Sequence, residues 1–303
     1  MMEQTLSKPE NVEQLEAEAG CPALPCSVSL ALDSVICGDN CETLAAMPAE
    51  SVDMVMTSPP YDDLRTYGGH SWDFYGVAWL LKRVLKPGGV IVWNVADATK
   101  DGNESGTSMR QALHFQSLGL NLHDTMIYQA TGTGAKGSNL AYWQEWEYMF
   151  VLSKGRPKAV NRLTFPKINQ GGGERGGVAQ KGEIRKRPQT EESIRSNVWR
   201  MAGDGENLHP APFPLKMAKD HIHTWTNPGD VVLDPFAGSG TTLKAAKELN
   251  RHFIGIEINP EYVAICKDRI SQDVLQLFSP QNAGGMAREL AAQKPESPTN
   301  LNG

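Results

Sequence analysis

The 303-residue sequence has no long hydrophobic run, because nowhere does it reach the roughly 18 consecutive apolar residues that a membrane-spanning helix requires. Its start is acidic and lacks a compact apolar stretch behind basic residues, so it is unlike a secretory signal. The five cysteines are irregularly spaced and include no Cys-x2-Cys pair of the kind that binds zinc. These absences predict a cytoplasmic chain with free thiols and no metal centre.

A net positive charge is also missing. The formal net charge is −6, from 29 lysines and arginines against 35 acidic residues, which taken alone argues against binding to nucleic acid. The charge is unevenly distributed, however, because the segment 154–200 contains twelve lysines and arginines and only four acidic residues. Such a segment is usually a solvated loop, but it can also neutralise the phosphates of a nucleic acid.

Two nucleotide-binding signatures are absent as well. The sequence has no Gly-Lys-Ser/Thr of a phosphate-binding loop, and Gly238 and Gly240 are not followed by the third glycine of a dinucleotide-binding motif. Instead, an apolar strand at 231–233 is followed by a Gly-containing turn and a helix, and a second strand at 253–256 leads to Glu257. This order predicts the first βαβ unit of a Rossmann-like sheet.

A second strand ending has an unusual chemical composition. Residues 52–56 predict a buried strand, and Thr57-Ser58-Pro59-Pro60-Tyr61 follows directly. The two prolines stiffen the backbone and donate no N–H, while their carbonyls remain free to accept hydrogen bonds. A hydroxyl, rigid carbonyls and an aromatic ring within four residues suit a planar ring that bears an NH2 group. The plain alternative is a strand that ends in a proline-rich turn.

The segments Thr57–Tyr61 and Asp234–Gly240 together resemble the catalytic and cofactor motifs of amino-group (N4-cytosine/N6-adenine) DNA methyltransferases. Their order, catalytic motif first, resembles the permuted β group of that family. The resemblance covers residues 30–275 and implies the S-adenosylmethionine-dependent methyltransferase fold, an α/β fold with a Rossmann-like, mixed, mostly parallel sheet and helices on both faces.

The predicted organisation has three parts. Residues 1–26 show no sustained periodicity and are expected to form a mobile arm, and residues 278–303, rich in Pro, Asn, Gln and Gly, are expected to be a disordered tail. Between them lies a methyltransferase domain, 27–277, with a basic DNA-recognition insert at 154–205.

The expected cofactor is S-adenosyl-L-methionine. Asp234 at a strand end disfavours a pyrophosphate and suits the cationic ammonium or sulfonium of this molecule, and Glu257 can accept hydrogen bonds from both ribose hydroxyls. The resemblance implies that Asp39 lies near the adenine and Phe213 near the methionine end, although Asp39 also fits a simple turn before a helix. The predicted cofactor-binding residues are Asp39, Thr57, Phe213, Asp234, Pro235, Phe236, Ala237, Gly238, Ser239, Gly240, Thr241, Thr242 and Glu257.

The predicted catalytic residues are Ser58, Pro59, Pro60 and Tyr61. Ser58 Oγ and the Pro59 carbonyl would accept the two protons of an exocyclic amine, and Tyr61 would stack on a base flipped out of the duplex. In the family, the Ser-Pro-Pro-Tyr form favours cytosine N4, and adenine N6 is the alternative. A cytosine-C5 enzyme would need a Pro-Cys pair at the strand end, whereas Pro25-Cys26 lies in the arm.

The expected partner is double-stranded DNA, together with a cognate restriction endonuclease or none, and the protein is a monomer or a homodimer. The predicted DNA-binding residues of the insert are Lys167, Arg175, Lys181, Arg185, Lys186 and Arg187. One alternative is a catalytically silent DNA-binding relative, against which the intact Ser58 and Asp234 argue. Another keeps the chemistry but moves it to RNA or to a protein amide.

Overall fold

A computed structural model describes residues 31–60, 72–131, 139–140, 142–166, 177–178, 184–185, 192–203 and 213–271. The predicted arm and tail lie outside these ranges, as do residues 167–176, 179–183 and 186–191 of the basic segment. None of the described helices has the length and hydropathy needed to cross a bilayer.

The described chain contains alternating strands and helices. The helices are α1 (Asn40–Ala46), α2 (Phe74–Val84), α3 (Thr107–Ser117), α4 (Leu215–Trp225), α5 (Thr241–Glu248) and α6 (Pro260–Ser271). The strands are β1 (Ser34–Cys37), β2 (Val52–Thr57), β3 (Leu85–Val95), β4 (Thr99–Lys100), β5 (Asn103–Glu104), β6 (Asn121–Ala130), β7 (Trp146–Ser153), β8 (Thr164–Pro166), β9 (Gly177–Val178), β10 (Ile184–Arg185), β11 (Glu192–Ile194), β12 (Val198–Met201), β13 (Val231–Asp234) and β14 (His252–Glu257).

Eight strands form one sheet in the order β1-β14-β13-β2-β3-β7-β6-β12. The first five are mutually parallel, β7 is antiparallel to both of its neighbours, and β12 is parallel to β6. This arrangement confirms the predicted mixed, mostly parallel sheet. Because β13 follows β2 late in the chain but pairs with it in the sheet, the two sequence motifs meet in space.

Helices cover both faces of the sheet, as predicted. The buried residues of α1, α2 and α3 pack in one hydrophobic cluster, and those of α4, α5 and α6 pack in the other. All six residues of β2 are buried, with Met54 and Met56 in the α4–α6 cluster and Val55 in the α1–α3 cluster. A strand that is buried on both faces has a near-continuous apolar sequence, which is what this segment shows.

Strand β3 begins earlier than the sequence suggests. The run Lys86-Pro87-Gly88-Gly89 predicts a break before a strand at 90–94, yet β3 starts at Leu85, directly after α2. Its pairing with β2 is irregular there, and Gly88 has φ +78 while its N–H donates to the Lys154 carbonyl at 2.7 Å. Pairing with the segment after β7 therefore keeps a glycine-rich stretch extended.

The predicted basic insert is not separate from the body along its whole length. Strand β12 falls within 154–205 but pairs with β6 at the edge of the main sheet, and it buries Trp199 and Met201 in the core. Lys154 and Lys158, counted among the basic residues, form ion pairs with the body. The high charge of this segment obscured β12 in the sequence, because the alternation of exposed and buried residues in this strand is only four residues long.

A buried carboxylate links several strands at the edge of the sheet where β2 and β13 begin. Asp53 is 2% exposed, and its oxygens accept hydrogen bonds from Lys86 Nζ at 2.7 Å, Lys158 Nζ at 2.6 Å and the Val231 N–H at 2.9 Å. These contacts join β2, β3, β13 and the segment after β7, so Asp53 stabilises the fold on the side away from the candidate site.

Candidate active site

Four strands deliver polar residues to one edge of the sheet. Strands β1, β14, β13 and β2 are adjacent and parallel, so their C-terminal ends lie side by side. Asp39 follows β1, Glu257 ends β14, Asp234 ends β13 and Ser58 follows β2. Ligand sites of open α/β sheets form at this edge, and here it unites the two sequence motifs.

Asp234 is a buried acid whose hydrogen-bond partners are neutral. It is 2% exposed, and its Oδ1 accepts from Thr57 Oγ1 at 2.6 Å and from the Phe236 N–H at 3.1 Å. Burial raises its pKa to about 6, against hydrogen bonds that lower it. Among the described residues no cation forms an ion pair with Asp234. A bound cationic group would therefore meet an unmatched negative charge.

The loop after β13 has the backbone geometry of a ligand cradle. Gly238 and Gly240 have φ +51 and +81, a region that side-chain-bearing residues rarely adopt. Glu257 holds this loop, since its Oε2 accepts from the Gly238 N–H at 2.8 Å and its Oε1 from the Asn259 N–H at 2.9 Å. Each carboxylate oxygen keeps a second lone pair, so hydroxyl groups of a ligand can still be accepted.

These features fit S-adenosylmethionine. The buried Asp234 carboxylate suits the cationic end of the molecule, the half-buried Glu257 suits its ribose hydroxyls, and the loop between them lets backbone approach closely. Thr242 Oγ1 also donates to the Met56 carbonyl at 3.1 Å, which ties the start of α5 to β2. Pro235, Ala237, Ser239 and Thr241 are buried within the same loop and helix start.

Asp39 and Phe213 have additional structural roles. Asp39 is the N-cap of α1, with Oδ1 accepting the Glu42 N–H at 3.0 Å, so the simple turn interpretation describes its local contact. Phe213 is buried in the α4–α6 cluster next to the start of α4. Their contact with the cofactor stays a prediction.

The catalytic tip is described as far as Pro60. Ser58 is half-buried, Pro59 buried and Pro60 half-buried, directly after β2. Tyr61 lies outside the described residues, as do Lys167, Arg175, Lys181, Lys186 and Arg187. The backbone of Arg185 is described, in the short antiparallel pair of β9 and β10.

Two polar residues beside this tip, Asn94 and Glu147, were not among the predicted site residues. Asn94, near the end of β3, is 1% exposed, and its Nδ2 donates to Glu147 Oε2 on β7 at 2.6 Å. Thr57 pairs with Trp93, so Asn94 comes one residue beyond the last pair, level with Ser58. A polar residue near the end of an apolar strand was the available signal, the same one that identified Asp234.

Comparisons with known proteins show the family to which this chain belongs. The family model described as DNA methylase, N6_N4_Mtase, matches residues 52–268, a span that contains both motifs. The chain belongs to this family. M.BamHII of Bacillus amyloliquefaciens, named an orphan methyltransferase, is 45% identical over 241 residues, which cover 74% of this chain and 91% of the relative.

Two solved structures of DNA methylases illustrate the shared fold. TTHA0409 of Thermus thermophilus, in complex with S-adenosyl-L-methionine, is 26% identical with a TM-score of 0.55, covering 80% of this chain and 94% of that one. The cytosine-N4-specific PvuII DNA methyltransferase is 22% identical with a TM-score of 0.59, covering 86% and 93%. This DNA methylase is therefore an S-adenosylmethionine-dependent enzyme of the N4-cytosine/N6-adenine amino-methyltransferase family.

Proposed function

We propose that this DNA methylase methylates the N4 amine of cytosine in duplex DNA. The observation that carries the proposal is Ser58, which opens the Ser-Pro-Pro-Tyr motif where N6-adenine members of the family more often have aspartate. Cytosine and adenine both present an amidine-like NH2 group, so the chemistry of the amine alone favours neither base.

The proposed catalytic role of the tip is to accept hydrogen bonds. The lone pair of an exocyclic amine is delocalised into the ring, which makes the nitrogen a poor nucleophile. Ser58 Oγ and the Pro59 carbonyl accept hydrogen bonds from the two N–H groups of the amine and favour a pyramidal nitrogen with an available lone pair. These bonds strengthen as positive charge develops on nitrogen, so they stabilise the transition state more than the ground state. Pro60 keeps the tip rigid, and Tyr61 stacks on the flipped base.

The proposed cofactor site lies beside this tip. When bound, S-adenosylmethionine supplies an electrophilic methyl group. Asp234 faces its cationic end, Glu257 its ribose hydroxyls, Asp39 its adenine and Phe213 its methionine end, while residues 235–242 surround it. The hydrogen bond of 2.6 Å from Thr57 to Asp234 supports the proposal, because it fixes the catalytic strand against the cofactor strand.

The remaining proposals concern DNA recognition and biological setting. We infer that the basic insert 154–205 contacts DNA through Lys167, Arg175, Lys181, Arg185, Lys186 and Arg187. The enzyme then acts in the cytoplasm, as a monomer or homodimer, either with a cognate restriction endonuclease or alone. The name of the relative M.BamHII as an orphan favours the solitary arrangement.

The decisive test is to identify the methylated nucleoside. Unmodified duplex DNA is incubated with the protein and S-adenosylmethionine labelled in the methyl group, then digested and examined by nucleoside mass spectrometry. Labelled N4-methylcytosine is expected. Labelled N6-methyladenine would overturn the choice of base, and label that enters RNA in a parallel reaction but does not enter this DNA would overturn the choice of nucleic acid. Asp234→Ala protein, purified in the same way, controls for contaminating host enzymes.

A further inference from the structure

Helix α6 contacts the loop that follows β13, residues 235–240 (the cofactor loop). One contact is made by a buried arginine. Arg269 is 7% exposed, and its Nη1 donates to Thr241 Oγ1 at 2.9 Å and to Ser239 Oγ at 3.3 Å. Ser239 and Thr241 are themselves 4% and 5% exposed. One guanidinium nitrogen thus joins the last part of the loop to the first residue of α5, and these contacts offset part of the cost of burying the charge.

The same helix also contacts the residue between these two hydroxyls. Gly240 has φ +81, and a Cβ added there would come within 2.4 Å of Cys266 Sγ. Three consecutive residues, 239–241, are therefore fitted against α6, two through Arg269 and the third through Cys266. The close approach of Cys266 requires glycine at 240, and Arg269 holds the residues on either side of it.

Two side chains fix the end of this loop to α6. The oxygens of Ser239 and Thr241 accept hydrogen bonds from Arg269, so they anchor the loop to α6. Glu257 anchors the preceding part through the Gly238 N–H. Arg269 and Glu257 therefore both restrain the loop, so its backbone amides are ordered before a ligand binds. Such preorganisation lowers the entropic cost of binding.

We propose that Arg269 is a positioning residue for S-adenosylmethionine binding, acting through the hydroxyls of Ser239 and Thr241. The proposal rests on the proposed role of residues 235–242 in the cofactor site. Arg269 lies one residue beyond the span 52–268 that the family model matches.

The test compares two buried arginines. Arg269→Met keeps the packing of the side-chain stem and removes both hydrogen bonds. Arg251→Met is the matched control, because Arg251 is 8% exposed and donates to Thr226 and to the Leu249 carbonyl, at the opposite end of β14 from the cofactor loop. Both variants lose a buried guanidinium network, so both are expected to lower the melting temperature by similar amounts.

Only Arg269→Met should affect the cofactor site. Calorimetric titration with S-adenosylhomocysteine is expected to give at least a tenfold weaker Kd, about 1.4 kcal/mol, while the Kd of Arg251→Met stays within about twofold of the parent. In the absence of ligand, hydrogen exchange at amides 236–242 should be faster in Arg269→Met than in the control. This second measurement needs neither activity nor bound cofactor.

Each outcome decides a separate point. An unchanged Kd in Arg269→Met, or an equal loss in both variants, would overturn the role of Arg269. If Arg269→Met does not fold, Thr241→Val removes the acceptor at 2.9 Å and must show the same loosening of the loop on a smaller scale. Asp234→Ala is measured in parallel: if it also leaves the Kd unchanged, the proposed cofactor site itself is wrong, whereas a loss in Asp234→Ala alone removes only Arg269.

Discussion

Asp234, which is proposed to face the cationic end of the cofactor, is costly to keep ionised in the ligand-free protein. Its carboxylate is almost fully buried, and its Oδ1 accepts two hydrogen bonds from neutral donors, so the ionised form is not fully compensated in the ligand-free protein. The pKa of about 6 reflects this cost. An acid of this kind is stabilised when a cation binds beside it, which makes it a poor structural residue and a good binding residue.

Asp234→Asn is therefore expected to stabilise the ligand-free protein and to weaken cofactor binding. The Asn side-chain oxygen can still accept from Thr57 and Phe236, and the cost of ionisation, at most about 3 kcal/mol for a pKa raised from 3.8 to about 6, disappears. Because the pKa of Asp234 is raised, the full free-energy cost of ionisation is present above pH 6, and none of it remains well below pH 3.8. The gain in melting temperature over the parent should thus be largest at pH 7 and shrink towards pH 4. A gain that is independent of pH, or an unchanged affinity for S-adenosylhomocysteine, would contradict this account.

Ser58 should act on turnover and not on cofactor binding. Its hydroxyl is proposed to accept a hydrogen bond from the amine in the transition state, and removal of one such preorganised group typically costs about 100- to 1000-fold in rate. Ser58→Ala should lower the single-turnover rate by an amount of this order and leave the Kd for S-adenosylhomocysteine within about twofold. Ser105→Ala serves as control, because this hydroxyl lies at the same edge but donates to Asp97. Equal losses of rate and affinity in Ser58→Ala would count against its role at the amine.

At the scale of the element, β2 has a stabilising carboxylate near its N-terminal end and leads to the proposed catalytic residues at its C-terminal end. Its second residue, Asp53, gathers two lysines and a backbone N–H, and its last residue, Thr57, reaches Asp234. Burial acts to raise the pKa of Asp53, but hydrogen bonds from Lys158 and Lys86 outweigh it and lower the pKa below 3.8. The N-terminal end of the strand is thus fixed by charge, which holds the catalytic end in register.

Asp53→Asn should destabilise the fold by about 2 kcal/mol at pH 7, a typical value for lost hydrogen bonds to a charged group, reduced here because the two lysines are partly exposed. A lowered carboxylate pKa contributes stability above the unfolded value and loses it as pH falls, so the difference from the parent should close below about pH 4. Denaturant titrations across pH measure this. Glu50→Gln breaks the exposed pair with Lys154 and is expected to change stability by less than about 0.5 kcal/mol. Equal effects of the two substitutions would contradict the assignment.

Elements whose apolar sequence indicates burial could be predicted. Elements that form only by pairing with residues distant in the sequence could not. Strands β2, β13 and β14 are apolar runs that end in polar residues, so both their existence and the meeting of Ser58, Asp234 and Glu257 follow from alternating strands and helices. The extension of β3 through Gly88 depends on pairing with Lys154, and β12 depends on the open edge of β6. The contact of Arg269 could not be predicted, because only the tertiary fold reveals that Thr241 is its acceptor.

For the whole molecule, the central question is how the basic segment is attached to the sheet. Residues 167–191 of this segment are flanked by β8 and β11, which form an antiparallel pair in which Pro166 lies opposite Glu192. On the β8 side, Asn161 Nδ2 donates to the His223 and Thr226 carbonyls near the end of α4. On the β11 side, Arg195 pairs with Asp220 of α4 at 2.6 Å. Residues 167–191 are thus connected to the body through a strand pair anchored twice to one helix.

Excision of residues 167–191 should consequently separate DNA binding from the rest of the protein. Because Pro166 lies opposite Glu192, an Asn-Gly turn can join them without moving β8 or β11. The melting temperature and the affinity for S-adenosylhomocysteine are expected to match the parent. Duplex binding should weaken, and the slope of its salt dependence should flatten by about 0.9 for each phosphate that the protein no longer neutralises.

The control for this excision keeps the backbone and removes only the charge. Full-length protein with Gln at Lys167, Arg175, Lys181, Arg185, Lys186 and Arg187 should lose the salt dependence to the same extent as the excised protein, because both lack the same cations. If the excised protein binds DNA with the affinity and salt slope of the parent, the DNA surface must lie on the body of the sheet, and the insert would have to be assigned another role.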